Sequence, residues 1–264
     1  MSAYAELHSL SAFSFRRGVA LPQELVQRAH ALGYEALALT DECSMAGVVR
    51  AHEAARECGI KLIVGSEMRL HDDGLRLVLL APNQTAYSQI CRLITRARRR
   101  APKGRYEIRL KDLDEALDQV ITIWLPDLAT ASSEGDTPLQ VDGWRAQAEL
   151  LKPCFGTRLW IGAARLLQPQ EGRLFQALDR LGEQHRIPRL ACGDVRMATR
   201  SQRALGDVMT ALSCQRPLRD CGLALTANGE RHLRPISTLE KIYPQAWLDA
   251  SVNLADRCHL DMDQ

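Results

Sequence analysis

At 264 residues the chain is long enough for one α/β barrel or for two compact domains, and its 46% hydrophobic and 25% charged residues exclude collagen-like, mucin-like and wholly disordered chains. No stretch of about 18 apolar residues occurs, which excludes a membrane-spanning helix. With 34 Lys and Arg against 32 Asp and Glu, the net charge is only +2, so any attraction to nucleic acid or anionic lipid has to be local.

The first segment, Met1-Ser-Ala-Tyr-Ala-Glu-Leu-His, lacks a basic start followed by an apolar run, so it reads as neither a secretory signal nor a transit peptide, and the cytosol is the expected compartment. Its Tyr4–Leu7 stretch predicts the first strand. Pro22 to Gly33 then predicts a helix: Leu21, Leu25, Ala29 and Leu32 share one face, Pro22 suits the first turn and Gly33 the C-terminal cap. Strand Ala36–Thr40, helix Met45–Cys58 (stopped by Gly59) and strands Lys61–Val64 and Leu75–Leu80 follow. Next come helices Thr85–Arg100, stopped by Pro102, and Leu110–Leu117, then strand Val120–Leu125. The Ser-, Gly- and Pro-containing stretch Asp127–Gly143 reads as a surface loop or insertion. Strand Leu159–Gly162, helix Gln170–His185 and strand Arg189–Cys192 complete the rhythm. Beyond it, Ser201–Ser213 and Leu239–Cys258 predict an appended helical segment joined by the turn-rich Leu225–Leu233.

Seven strands alternating mostly with helices are the mark of βα units around a parallel sheet, and a closed or nearly closed barrel accommodates them better than an open doubly wound sheet. The eight cysteines are scattered, with no CxxC pair and no zinc-finger spacing, and read as free thiols in a reducing compartment.

Functional residues in βα barrels collect at the C-terminal ends of strands. Here those ends carry Glu6 and His8, Asp41 and Glu42, Glu67, and Asp194. Carboxylates and imidazole converging on one mouth suit a divalent metal, and metal-assisted phosphoester hydrolysis is the chemistry such a site performs. Each acid alone has a plainer reading, since an Asp after a strand also serves as a helix N-cap, and Asp41 fits that role. The basic run Arg96–Arg105 either meets DNA phosphates or places favourable charge at a helix C-terminus. Ser11 and Ser14 suit phosphate contact or loop capping equally.

An ordered series of motifs carries a family resemblance: Ala5-Glu-Leu-His-Ser-Leu-Ser-Ala-Phe-Ser-Phe, Leu37-Ala-Leu-Thr-Asp-Glu-Cys-Ser-Met-Ala-Gly, Ile63-Val-Gly-Ser-Glu, Arg76-Leu-Val-Leu-Leu-Ala-Pro-Asn, Cys192-Gly-Asp-Val-Arg-Met and Asn228-Gly-Glu-Arg-His-Leu-Arg. Over essentially its whole length the chain resembles the polymerase and histidinol phosphatase (PHP) domain that opens bacterial C-family DNA polymerases, nearest the error-prone, translesion branch. The resemblance implies a distorted seven-stranded (βα) TIM-like barrel over residues 1–200. Residues 201–264 would be a C-terminal helical extension leading to a polymerase palm that lies outside this chain.

It also implies a degraded metal site. Members with a complete centre carry His-x-His after the first strand, Asp-His after the second, Glu after the third, a His before the fourth strand's apolar run, and Asp-x-His after the seventh. In this chain His8, Asp41, Glu67 and Asp194 match and Glu42 is a substitute ligand, while Leu10, Arg76 and Arg196 stand where three imidazoles belong. Leu has no donor atom and a guanidinium offers only N–H groups, so neither ligates a metal. The resemblance thus implies no resident cofactor, or at most one residual Zn²⁺ or Mn²⁺. Charge balance would pass to arginine–carboxylate pairs, Arg196 with Asp194 or Glu67 and Arg76 with Glu42; the alternative is a drifted site with both arginines solvated. Implied functions are a non-catalytic scaffold for the polymerase core of the same parent chain, which contacts DNA; a reduced metal-dependent phosphoesterase or 3′–5′ exonuclease; or a docking module for mutagenesis-complex proteins.

Overall fold

In the computed structural model, which describes residues 3–70, 74–114, 117–126, 141–169 and 171–263, the apolar segments form strands β1 (Ala5–Ser9), β2 (Ala36–Leu39), β3 (Lys61–Arg69), β4 (Arg76–Leu80), β5 (Ile121–Trp124), β6 (Leu159–Ala163) and β7 (Arg189–Ala191). They lie side by side in chain order. The sheet's two edges meet just beyond β7: Leu10 N–H donates to Val195 O (2.8 Å) and Val195 N–H to His8 O (3.0 Å), and Ser9 pairs with Val195 in a parallel bridge. A nearly closed seven-stranded α/β barrel results, as expected.

One strand departs from the expected parallel sheet. β4 runs antiparallel to both β3 and β5, because the connection from Arg69 to Arg76 is too short for the crossover that a parallel neighbour requires. The reversal has a consequence for the site. It brings the start of β4, where Arg76 stands, to the end of the barrel at which β1, β2, β3 and β7 finish.

Helices α1 (Pro22–Ala31), α2 (Val48–Cys58), α3 (Gln84–Arg100), α4 (Lys111–Asp114), α5 (Asp142–Phe155), α6 (Glu171–His185), α7 (Arg203–Cys214), α8 (Ile236–Ile242) and α9 (Gln245–Asp256) make up the rest. The predicted helices recur with shifts of a few residues at their ends, except that Leu239–Cys258 is divided at Pro244 into α8 and α9. α5 was not predicted. Its buried Trp144, Gln147, Ala148, Leu151 and Phe155 have helical spacing, but Pro153 near its end and the adjoining loop composition mask the pattern. Residues 127–140 of the expected loop lie outside the described residues.

Two apolar layers hold the fold. The outer one packs helices on the sheet, for example Leu25, Val26 and Ala29 of α1 beside Val48, Ala51 and Ala55 of α2. The inner one fills the barrel with Ala5, Leu7, Ala36, Ala38, Ile63, Leu80, Ile121, Ile123 and Leu190, and extends to Leu254, Ala255 and Cys258 at the end of α9. α9 therefore forms the barrel's floor. Polar ties fix it there: Ser251 Oγ accepts from Ala5 N–H (3.3 Å), Lys61 Nζ donates to Ala255 O (2.8 Å), and His259 N–H donates to Pro82 O (2.8 Å).

Candidate functional site

The mouth, opposite that floor, is built by short extensions of the strands. Past β2, Thr40 O accepts from Glu67 N–H (3.0 Å) and Glu67 O from Cys43 N–H (2.9 Å), so Asp41 and Glu42 are held beside Glu67. Past β7 the backbone at Asp194 adopts φ 44°, and past β2 that at Cys43 adopts φ 45°. Such left-handed geometry in non-glycine residues is uncommon and gathers at functional sites. Gly193 is required here, because a Cβ would lie 2.5 Å from the Glu6 carboxylate, whose Oε1 accepts the Gly193 and His8 N–H groups at 2.9 Å each. Glu6 thus braces the turn from behind. Burial pushes its carboxyl up to about 7, against the opposing pull of those two N–H groups.

Glu67 is the centre of the mouth. Fully buried, it accepts hydrogen bonds from Arg17 (Nη1, 2.7 Å), Arg69 (Nε, 3.0 Å), Arg76 (Nη2, 3.0 Å) and His8 (Nε2, 2.7 Å). Burial alone would raise its carboxyl, but Arg76, the His8 bond and Arg17 reverse that and hold it well below the usual carboxylate range. His8 is pushed down to about 4, by burial first, with the Glu67 hydrogen bond opposing and the Arg76 and Arg17 charges assisting. The imidazole is therefore neutral near pH 7, and because an ionised Glu67 only accepts, Nε2 carries the proton. Its Nδ1 has no hydrogen-bond partner among the described residues and lies 3.9 Å from Asp194 Oδ1.

Arg76 joins the two sides. Its Nη2 donates to Glu67 Oε2 at 3.0 Å and to Asp194 Oδ1 at 2.8 Å. Asp194 is further paired with Arg196 (3.6 Å) and Arg231. Glu42 takes Arg17 (2.5 Å) and the Tyr106 hydroxyl (2.7 Å). The pairing of Arg76 with Glu42 expected from sequence is thus corrected: reversed β4 aims Arg76 at Glu67 and Asp194, and Arg17 from the loop after β1 takes Glu42. The Arg196–Asp194 pairing is present, as a single 3.6 Å contact and not a fork.

Asp41 stands apart. It is buried and accepts from Ser11 N–H (2.8 Å), Ser11 Oγ–H (2.7 Å) and Ser14 Oγ–H (2.6 Å). Burial raises its carboxyl and the serine donors counteract it. It is not a helix N-cap, since α2 begins at Val48 after Gly47. The two serines are accordingly spent on Asp41. Leu10, in place of a ligand, is buried. In the basic run, Arg98 donates to the Glu42 and Cys43 carbonyls and Arg100 forks onto Asp112 (2.6 and 3.1 Å), so part of that cluster serves the fold.

Of the expected ligands, His8, Glu67 and Asp194 come close enough to share an ion, with candidate atoms within 4.8 Å of one another; Asp41 and Glu42 are outside this group. One imidazole and two carboxylates are the right donor types for Zn²⁺ or Mn²⁺. Their state does not fit a metal. The cation position between Glu67 and Asp194 is filled by the Arg76 guanidinium, and His8 turns its protonated nitrogen to Glu67. Among the described residues, five guanidiniums (Arg17, Arg69, Arg76, Arg196, Arg231) are ion-paired with three carboxylates (Glu42, Glu67, Asp194), an excess of two positive charges over a neutral His8. Sequence reasoning missed Arg17, Arg69 and Arg231. Arg69 had a signal, two residues after Glu67 on one strand; Arg17 and Arg231 arrive from a loop and a distant turn, with no local pattern to mark them.

A family model described as PHP domain matches residues 6–161. Over 264 residues the chain is 49% identical to an error-prone DNA polymerase of Pseudomonas fluorescens and 48% identical to one of Pseudomonas paraeruginosa, spanning 24% of the length of each. Among solved structures it is similar to an amidohydrolase of Chromobacterium violaceum with bound sulfate and no metal, at TM-score 0.53 and 16% identity over 74% of this chain and 88% of that one. At that identity the likeness bears on fold alone.

Proposed function

Because the chain belongs to the PHP domain family, we propose that it is the PHP domain of a C-family error-prone DNA polymerase, a paralogue of the polymerase III alpha subunit acting in damage-induced translesion synthesis in the cytoplasm. Its barrel serves as a metal-free scaffold. Residues 1–200 form the barrel and 201–264 lead toward the palm, with α9 folded back as the floor. The partners are the polymerase core of the parent chain, DNA through that core, and proteins of the mutagenesis complex. Identities of 48% and 49% over all 264 residues of this chain, which span 24% of each error-prone polymerase, support the assignment. Among the described residues no helix is long and apolar enough to cross a bilayer.

The scaffold reading is carried by one observation: Arg76 Nη2 bridges Glu67 and Asp194, the two carboxylates a metal would need. A guanidinium there neutralises buried carboxylates through charge-assisted hydrogen bonds and supplies neither a Lewis acid nor an activated water. Elemental mass spectrometry of the untagged chain, purified without chelator and then dialysed against Zn²⁺ and Mn²⁺, tests it. The expected result is far less than one metal per chain in both conditions. Near-stoichiometric metal that disappears in Asp194→Ala would overturn the reading.

A second reading has its own observation. The buried Nδ1 of His8, unpartnered among the described residues and 3.9 Å from Asp194, carries a lone pair of the kind a metal uses. That favours a reduced phosphoesterase or 3′–5′ exonuclease in which Arg76 swings aside. Mn²⁺-dependent shortening of a labelled primer, abolished by Asp194→Ala, is its signature; no shortening disposes of it.

A further inference from the structure

Four of the five arginines at the mouth border one cavity. Arg196 is the least compensated member: its side chain is only 19% exposed, its single ion pair to Asp194 is 3.6 Å long, and its buried Nε has no hydrogen-bond partner among the described residues. Arg76 Nε is likewise buried and unpartnered. A desolvated guanidinium without an acceptor is unfavourable, and such groups ordinarily mark a place where a ligand or ordered water completes the structure. Arg196 and Arg231 line a cavity together with Arg69 and Arg76, and apolar residues, among them Leu125 and Leu166, line it as well. Asp194 also borders it and is already engaged by Arg76 and Arg231.

We propose that the cavity walled by Arg69, Arg76, Arg196 and Arg231 is a metal-free binding site for a phosphate-type dianion, either free phosphate or the terminal phosphate of a nucleic-acid strand. The match is in charge and shape. Two positive charges uncompensated among the described residues call for a dianion, whereas one carboxylate would leave a charge over. Guanidiniums arriving from β3, β4, the turn after β7 and the 228–234 segment approach from different directions, which suits a tetrahedral group with several acceptor oxygens better than a planar one. The inference deepens the metal-free reading of the same mouth and rests on it.

Thermal unfolding and ³¹P line broadening of the 264-residue chain, in chelator and at constant ionic strength, test the site. Phosphate is expected to raise the melting temperature saturably where chloride does not. Arg196→Gln is expected to weaken phosphate binding by at least about tenfold while changing the melting temperature little in phosphate-free buffer, because its one ion pair is long and Asp194 keeps Arg76 and Arg231; Arg99→Gln, on the exposed side of the basic run, leaves both unchanged. No shift beyond that of chloride, or an undiminished shift in Arg196→Gln, would overturn the site. A shift that vanishes in chelator overturns it as well, since a metal would then hold the anion. Stoichiometric metal in the untreated chain, combined with phosphate binding that persists in chelator, would reject the scaffold reading and leave the anion site standing. Comparison of a 5′-phosphorylated oligonucleotide with its unphosphorylated twin identifies the source: a gain tied to the phosphate and exceeding that of inorganic phosphate points to nucleic acid, and equal binding of inorganic phosphate to the free anion.

Discussion

The two ends of this barrel are closed by opposite physics. At the floor, Leu254, Ala255 and Cys258 of α9 fill the opening with apolar volume against Ala5, Ala36 and Ile63. At the mouth, a buried carboxylate is ringed by guanidiniums, so closure depends on how charges are matched. Apolar filling tolerates exchange as long as volume is kept, whereas a buried ionic network is costly to break at a carboxylate that several cations share, because those left behind are desolvated and unpaired. The floor is thus the permissive end, and the mouth is where a single substitution redirects behaviour.

The largest expected effect comes from striking both ends. Glu67→Gln removes the carboxylate on which Arg17, Arg69 and Arg76 converge and leaves cations in a low-dielectric site. Losing one partner of a buried ionic network costs about 3–5 kcal/mol. Leu254→Ala, at a fully buried floor position, is expected to cost about 2–5 kcal/mol as transfer and cavity terms. Urea unfolding measures both. Added phosphate distinguishes them, because it compensates part of the Glu67→Gln loss and none of the Leu254→Ala loss. Equal responses to phosphate would mean that the two ends are not physically different after all.

The contrast between the ends also explains what the sequence made visible. All seven strands were legible, since short apolar runs bounded by Gly, Pro and charged residues are a local signal. His8, Glu67 and Asp194 were legible because they sit where strands end, and strand ends converge in a barrel. The direction of β4 was not, as an apolar run reads the same either way and only the short link from Arg69 to Arg76 decides it. Nor was the floor, because Leu254 and Cys258 fit an amphipathic surface helix equally well until α9 folds back beneath the strands. Arg17 and Arg231 were invisible for a related reason: loops place them, and nothing in a run of arginines distinguishes a buried guanidinium from a solvated one.

A smaller effect sharpens the picture within the mouth itself, where Glu6 and His8 lie two residues apart and respond to pH in opposite senses. His8 titrates near 4 in the fold against 6.5 ordinarily, so between those values the unfolded chain binds more protons, and stability falls as pH drops. Glu6 titrates near 7 in the fold against 4.5 ordinarily. Over that window the folded chain holds the extra proton, and stability falls as pH rises. Glu67, held well below the usual carboxylate range, keeps its charge throughout. The unsubstituted chain is therefore expected to have a shallow profile between about pH 4.5 and 6.5, where the two slopes oppose. Glu6→Gln removes one slope and exposes the acid loss, whereas His8→Gln removes the other and leaves a decline from pH 4.5 to 7. Urea midpoints across this range give the three profiles. Parallel curves would mean that neither group is perturbed as its surroundings imply.

The smallest expected effect is at Asp41, which the sequence grouped with the metal ligands and the structure sets apart from them. If Asp41 belonged to the arginine-paired network, neutralising it would leave a cation unpaired and cost several kcal/mol. Its actual donors are neutral: the Ser11 N–H and the Ser11 and Ser14 hydroxyls. In Asp41→Asn the amide oxygen can still accept at the Oδ1 position, serving Ser11 N–H and Ser14. The new NH₂ at the Oδ2 position meets Ser11 Oγ, a hydroxyl able to turn and accept. The exchange trades charge-assisted bonds for neutral ones and also relieves the burial that raises the carboxyl, so a net loss of only about 1 kcal/mol is expected. Asp41→Ala should cost more than Asp41→Asn, since it orphans the Ser11 N–H and opens space beside Gly47, whose own Cβ would lie 2.8 Å from Asp41 Oδ2. A loss for Asp41→Asn as large as that for Glu67→Gln would place Asp41 inside the ionic mouth. A small one leaves it as the clamp that ties the serine loop to the end of β2, from which Arg17 reaches Glu42 and Glu67.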